Sequence, residues 1–411
     1  ILFLFSDDQR YDTIHALGNE HIITPNIDAL VRNGVAFTRA YIMGSTVGAV
    51  CVPSRAMLMS GRTLYHVPLD LANTLTMPEF LRDAGYITFG TGKWHNGATS
   101  FARGFTTGAK IFFGGMSDHL KVPVYDFDPT GKYPKEKCYI GEKFSSELFS
   151  DAAIKFLREY DDDKPFFMYV SYTAPHDPRM APKEYAELYD PAKIPLPKNF
   201  MPKHPFDNGE LMIRDEKLAP FPRTPDVIRK HIADYYAMIT HLDAQIGRVL
   251  KALEECGRAD DTIIIFAGDN GLAVGQHGLM GKQNLYEHSV RVPLIICGPG
   301  IPRGKKCDAL CYLLDVFPTI CELVGLPIPE TVEGVSLLPI INGEREQVRA
   351  SLFFAYKNVQ RAVCEERYKL IEYFVGGERH TQLFDLATDP WELKNLCDAP
   401  EYAEHLARLR H

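Results

Sequence analysis

Cys51-Val52-Pro53-Ser54-Arg55, with Gly61-Arg62 shortly behind it, is the segment of this 411-residue chain with the clearest chemical content. Free cysteine is among the most buried residue types, so the motif taken alone is equally a packed thiol. Its company separates the two readings: Asp7-Asp8 upstream, Gly92-Lys93-Trp94-His95, Pro175-His176, Asp269-Asn270-Gly271, and the stretch from Gly278 to Lys282. Asp7, Asp8, Asp269 and Asn270 offer only hard oxygen ligands, which suits Ca²⁺ or Mg²⁺ and argues against zinc. Asp7-Asp8 alone reads as a solvated strand end, and Asp269-Asn270-Gly271 alone as a turn. Two acidic strand ends flanking a cysteine motif point instead to a metal site. Lys93 and His95 are two apart, so in an extended segment they face the same side. Histidine titrates near neutrality and suits proton transfer, although a lone His such as His95 or His176 is by itself more often structural.

The hydrophobic pattern supplies the strands and helices on which these residues sit. Ile1 to Ser6 is an apolar run ending in two carboxylates, the pattern of a buried parallel strand delivering acids at its carboxyl end. Open α/β sheets place ligands there. Residues 262–267 repeat the pattern before Asp269-Asn270, Pro165 to Tyr172 before His176, and Tyr86 to Gly90 before Lys93. Helices are expected over Thr24 to Asn33, Pro53 to Ser60, Met77 to Ala84, Ser146 to Tyr160 and Val227 to Glu255. This alternation predicts an α/β fold: a large, mainly parallel or mixed sheet sandwiched by helices. Gly97 to Gly141 and Pro178 to Pro225 are weakly periodic and read as long substrate-facing insertions. After Leu326-Pro327-Ile328-Pro329 the pattern changes to short strands at 351–355, 362–364, 368–373 and 382–385 and a last helix. The expected division is a catalytic domain over 1–328 and a small C-terminal antiparallel α+β subdomain over 329–411.

In order and content these segments resemble the formylglycine-dependent (type I), arylsulfatase-like sulfatases of the alkaline phosphatase superfamily. The resemblance covers most of the chain, ending with Leu383-Phe384-Asp385-Leu386 and Asp389-Pro390. It implies that Cys51 is oxidised to formylglycine by a formylglycine-generating or anaerobic sulfatase-maturing enzyme that reads Pro53 and Arg55. The aldehyde would hydrate to a diol, one hydroxyl attacking sulfur and the other expelling sulfate. Arg55 would hold the diol and Lys93 a sulfate oxygen. His95 would act as base, and His176, helped by Lys282, as acid to the leaving oxygen. The metal, calcium by resemblance with Mg²⁺ as the alternative, would be held by Asp7, Asp8, Asp269, Asn270 and the group derived from Cys51. His277 would line the pocket or orient Lys282. Val52 and Thr91 depart from the family's usual small or aliphatic residues, which bears on packing or maturation efficiency.

The implied activity is sulfate removal from a sulfated carbohydrate: a glycosaminoglycan fragment, a mucin-type glycan or a marine polysaccharide. Phosphatases of the superfamily usually carry Ser or Thr and two metals, whereas the acidic clusters here supply one site, which leaves a phosphonate or phosphate ester hydrolase as the second reading. A non-catalytic glycan-binding relative would lack a nucleophile, cation or metal position, and none is missing. His119, Lys121, Arg179, Lys203, His204 and Arg214 are the insertion residues that could meet a polyanionic glycan. Hydrophobic residues at 45%, charged residues at 24% and a net charge of -8 describe an ordinary globular protein with no basic nucleic-acid surface. Nine cysteines is an odd number, so at least one thiol is unpaired within the chain. Ile1 to Phe5 is too short to span a bilayer, and no later run reaches transmembrane length. Export to the periplasm or medium, with the signal peptide outside this chain, is expected, a cytoplasmic location being the alternative. The lack of Asn-x-Ser/Thr acceptors favours a bacterial origin.

Overall fold

The structure, a computed structural model, describes residues 1–411. Its central sheet has eight strands: β1 (Leu2–Ser6), β2 (Gly34–Phe37), β3 (Ile87–Lys93), β4 (Thr107–Phe112), β5 (Phe166–Ser171), β6 (Ile264–Gly268), β7 (Leu294–Cys297) and β8 (Lys305–Cys307). They lie side by side in the order β8-β2-β7-β6-β1-β5-β3-β4. Only β7 runs against its neighbours; every other pairing is parallel. Helices cover both faces, which is why β1 is apolar throughout rather than alternating. Its period of two still sorts side chains between two cores. Leu2 and Leu4 pack with residues of the helices Pro25–Asn33, Ser145–Glu159 and Pro225–Glu255, while Phe3 and Phe5 pack on the side of the helix Cys51–Ser60.

The four strands expected from the pattern are the contiguous centre, β6-β1-β5-β3. Register makes their carboxyl ends level, with Ser6 opposite Gly268, Phe5 opposite Ser171, and Gly92 opposite Ser171. Asp7-Asp8, Asp269-Asn270, Lys93 and the segment leading to His176 therefore leave the sheet along one edge. All five expected helices form, but the second begins at Cys51 rather than Pro53. The first insertion is not wholly a loop: Thr107–Phe112 is edge strand β4, half-buried over most of its length. Pairing with β3 makes it a strand, since its local sequence, Thr-Gly-Ala-Lys, carries no strand signal. β7 had a readable signal in Leu294-Ile295-Ile296-Cys297, an apolar run bounded by Pro293 and Gly298.

The C-terminal strands Ser351–Tyr356, Gln360–Glu365, Tyr368–Val375 and Glu378–Asp385 form an antiparallel meander, followed by the helix Ala403–Leu409. Gly44–Ser45 adds to its edge in parallel with Ser351–Tyr356, stitching the chain just before Cys51 to the C-terminal sheet. All nine cysteines are free thiols, and no helix is long and apolar enough to cross a membrane.

A fully buried ion cluster pins the meander to the rest of the chain. Lys369 Nζ lies 3.0 Å from both Glu287 Oε1 and Glu392 Oε1, and Tyr41 donates to Glu287 Oε2 at 3.0 Å. Removing the shared cation would strand two carboxylates away from water. Lys369→Met should cost about 3–5 kcal/mol, read as a lowered urea midpoint with an unchanged m-value; a midpoint equal to the parent's would show that the cluster contributes nothing to stability.

Candidate active site

Strand alternation alone would send Asp7 and Asp8 to opposite faces. Asp8 instead adopts a left-handed conformation, φ 62°, which aspartate tolerates better than most residues. Both carboxylates thereby reach Cys51, with Sγ 3.3 Å from Asp7 Oδ1 and 3.6 Å from Asp8 Oδ1. The bend is held from below. Tyr235 donates its hydroxyl to the Asp8 carbonyl at 2.6 Å and accepts the Arg10 N–H at 2.9 Å, and the Asp8 N–H donates to Asp269 Oδ1 at 2.9 Å. Lys93 depends on a glycine: Gly92 has φ 87°, and a Cβ there would lie 1.8 Å from the Ser171 carbonyl oxygen. Cys51 opens its helix, where the unpaired N–H groups favour negative charge.

Around the thiol, three carboxylates meet three permanent cations with almost no solvent. Lys282 Nζ is 2.6 Å from Asp8 Oδ1 and 3.0 Å from Cys51 Sγ, and Lys93 Nζ is 2.6 Å from Asp7 Oδ2. Arg55 donates to Asp269 Oδ2 at 2.9 Å, Ser171 Oγ at 2.6 Å and the Lys93 carbonyl at 3.0 Å. Burial, reinforced by Asp269, pushes Asp7 up to about 7. Burial would also raise Asp8, but His176 and Lys282 outweigh it and hold Asp8 below the usual carboxylate range. Burial pushes the Cys51 thiol well up. Lys282, which burial alone would lower, is held well above its ordinary value by Asp8 and Cys51.

Three buried atoms in this cluster have no hydrogen-bond partner: Asn270 Oδ1, Arg55 Nη2 and His95 Nδ1. Unpartnered buried polar atoms are rare enough that each calls for an occupant. An oxygen acceptor and a guanidinium donor left open beside crowded carboxylates fit a hard cation and an anion respectively. Ligand atoms of Asp7, Asp8, Cys51 and His176 all lie within 4.8 Å of one another. That cluster adds His176 to Asp7, Asp8 and Cys51 of the expected set; Asp269 is turned toward Arg55 and the Asp8 amide, while Asn270 donates through Nδ2 to Asp8 Oδ1 at 2.7 Å and keeps Oδ1 open.

His176 and His95 border the cluster. His176 Nδ1 donates to the Asp177 carbonyl at 2.8 Å, which leaves Nε2, 3.5 Å from Asp8 Oδ2, as the atom that gains or loses a proton. Burial lowers His176 to about 4 against the pull of Asp8. Burial and then Lys93, Arg55 and Lys282 lower His95 to about 2, so its imidazole is neutral. His95 does not reach the site by strand alternation: β3 ends at Lys93, and His95 turns in with φ 69°.

Other expectations are corrected. His277 neither lines the pocket nor orients Lys282; it stacks on Tyr286 at 3.9 Å between centroids and meets Asn199 Nδ2 at 3.2 Å. His119 and His204 are internal: His119 bonds Ser145 Oγ at 2.7 Å and the His176 carbonyl at 2.9 Å, and His204 bonds the His277 carbonyl at 2.9 Å. Arg179 is engaged with His231 Nδ1 at 2.9 Å. Lys121 and Lys203 are exposed. Sequence reasoning missed Ser171, Tyr235 and Asp177; only Asp177, next to His176, had a local signal.

The large mixed sheet sandwiched by helices, with a buried cluster of carboxylates, cations and a thiol at its strand ends, has an alkaline-phosphatase-like fold. The family described as Sulfatase matches residues 1–326, and the one described as N-sulphoglucosamine sulphohydrolase, C-terminal, matches 275–411. An arylsulfatase of Clostridium perfringens is 30% identical over 100% of this chain and 92% of its own length. An N-acetylglucosamine-6-O-sulfatase of Bacteroides thetaiotaomicron is 27% identical over 100% of this chain and 84% of its own. Among solved structures, a protein in complex with its substrate D-glucosamine-2-N,6-O-disulfate superposes with a TM-score of 0.83 at 23% identity, covering 100% of this chain and 95% of that one. The chain belongs to the sulfatase family and is a sulfuric ester hydrolase.

Tyr235→Phe tests the support beneath Asp8, since it leaves a buried carbonyl and a buried amide without partners. A loss of about 1–3 kcal/mol in thermal or urea unfolding is expected; an unchanged midpoint would mean that other contacts hold the bend.

Proposed function

We propose that this sulfatase removes sulfate from a sulfated carbohydrate, with Cys51, oxidised to formylglycine by a maturing enzyme, at the reacting position. The observation that carries the reading is the setting of Cys51 Sγ, 3.0 Å from Lys282 Nζ and 3.3 Å from Asp7 Oδ1. Its place beside a lysine at the start of a helix suits a side chain that carries negative charge during reaction and a sulfate group held next to it. The sugar preference draws on the N-acetylglucosamine-6-O-sulfatase relative and the aminosugar-disulfate complex. Residues 1–328 would form the catalytic domain and 329–411 a subdomain that contributes Tyr356 and Lys357, both bonded to Glu210 of the second insertion.

Asp7, Asp8, Asp269 and Asn270 would hold the divalent ion, Ca²⁺ in preference to Mg²⁺, which when bound supplies Lewis-acid stabilisation of negative charge. Formylglycine, when formed, supplies an oxygen nucleophile in place of the thiol. The remaining work falls to the chain. Asp7, Asp8 and Asp269 balance Arg55, Lys93 and Lys282, so a divalent cation leaves a surplus of positive charge suited to a sulfate group. Lys93, Lys282 and the open Nη2 of Arg55 would bind sulfate oxygens in a low-dielectric pocket, where such contacts are strong. His95, neutral by virtue of burial and its cationic neighbours, would take a proton at the nucleophile. His176, which burial lowers to about 4 before substrate binds, would take up a proton at Nε2 when the negative charge of the sulfated substrate arrives, and would give it to the leaving oxygen.

The test combines mass spectrometry of the Cys51 peptide, after co-expression with a maturing enzyme, with sulfate release from a panel of sulfated oligosaccharides. Conversion of Cys51 and release from a sugar are expected. Cys51→Ala should reduce release to background, and its retention would sink the mechanism. Chelation should lower both turnover and the thermal midpoint, and added Ca²⁺ should restore both. His176→Ala should cost about 10²–10⁴-fold on sugar sulfates, the usual worth of a general acid, and far less on activated aryl sulfates, whose leaving groups need no proton.

A further inference from the structure

We infer that Arg214, on the second insertion, is a positioning residue that aims His176; this rests on His176 serving as the acid. Arg214 looks like a half-exposed surface cation, its side chain 47% exposed, and sequence alone would offer it to the substrate. Its bonding says otherwise. Nη1 and Nη2 grip Asp177 Oδ2 and Oδ1 at 2.7 and 2.9 Å, the paired geometry that fixes direction as well as distance. Nε and Nη2 reach Asp215 Oδ1 at 3.0 and 2.7 Å, and Nη1 also meets Met116 Sδ. A guanidinium has five N–H groups, and the carboxylates of Asp177 and Asp215 take four of them, which leaves little for a substrate anion.

What Arg214 joins is more telling than how many bonds it makes. Asp177 touches the His176 ring twice, its carbonyl accepting from Nδ1 at 2.8 Å and its Oδ1 lying 3.3 Å from the same atom. The direction in which Nε2 points is therefore set by the placement of Asp177. Asp215 leads to Lys282: its Oδ2 accepts from Gln283 Nε2 at 2.8 Å, and Gln283 Oε1 accepts the Lys282 N–H at 2.9 Å. Met116 leads to His95, because its neighbour Gly115 packs so closely on the imidazole that a Cβ would lie 2.8 Å from it. Of these three partners only Asp177 touches a reacting ring directly, so the grip of Arg214 bears on His176. Exposed ion pairs are usually worth little, but here the side chains of Asp177 and Asp215 are only 8% and 12% exposed, so their positions are set inside the protein.

The experiment is steady-state kinetics of matured parent, Arg214→Met, Arg214→Lys and His176→Ala on a nitroaryl sulfate and on a singly sulfated sugar. For Arg214→Met, kcat on the sugar should fall about 10–100-fold, the cost of a small misalignment of a reacting group, with KM little changed and nitroaryl turnover largely spared. Arg214→Lys should not rescue, because an ammonium cannot grip Asp177 through two parallel bonds. Nitroaryl turnover reports that each variant is folded. Equal losses on both substrates, or a rise in KM that grows with the number of anionic groups on the sugar, would overturn the inference, the latter in favour of direct substrate binding. If His176→Ala itself shows no dependence on the leaving group, the acid assignment has failed and the inference falls with it; a leaving-group dependence in His176→Ala that is absent from Arg214→Met overturns the inference alone.

Discussion

Buried charges in this protein persist only by neutralising one another, and the architecture around them serves that requirement. Asp7, Asp8 and Asp269 are withdrawn from water together with Arg55, Lys93 and Lys282, and an isolated ion in such a setting would cost several kcal/mol. Each charge is tolerable because another stands within bonding distance: Lys93 with Asp7, Lys282 with Asp8, Arg55 with Asp269. The balance is nonetheless strained, since Asp7 is pushed up to about 7 by burial and Asp269. Such tension is characteristic of a site organised for binding and reaction rather than for stability. The open donor on Arg55 and the open acceptor on Asn270 are the same tension in hydrogen-bond form.

Backbone features carry that arrangement. Parallel strands in register bring four chain segments to one edge, but alternation along each strand would waste half of their side chains on the far face. The left-handed turns at Asp8 and His95 and the glycine at 92 redirect the side chains beyond the strand ends. None of them is stable by local preference, and each is braced, Asp8 by Tyr235 and Asp269, His95 by Gly115, and the Gly92 segment by close approach to β5. The insertions, which look like decoration in sequence, take part in the same bracing. One supplies an edge strand and the loop against His95; the other supplies Arg214 and Asp215. The C-terminal sheet is tied to the rest of the chain through Gly44–Ser45, just before Cys51, and through the Lys369 cluster.

The family, the four central strands, the five helices and the set of charged and nucleophilic residues at the site are all legible in the amino-acid sequence. They are legible because they are local: an apolar run ending in acids, a helical period, a motif whose residue types chemistry restricts. Which of those residues meet is a matter of tertiary structure alone. His119, His204 and His277 have the same chemistry as His176 but are buried in roles of their own, because partners distant in sequence take up their ring nitrogens or faces. β4 and the strand Gly44–Ser45 exist only through pairing with a neighbour, which no window of local sequence encodes. Arg214 is the clearest case. Its sequence offers a surface cation, and only the arrival of Asp177 from a distant loop engages it, because hydrogen-bond geometry depends on where chain segments meet in space as well as on where they lie along the chain.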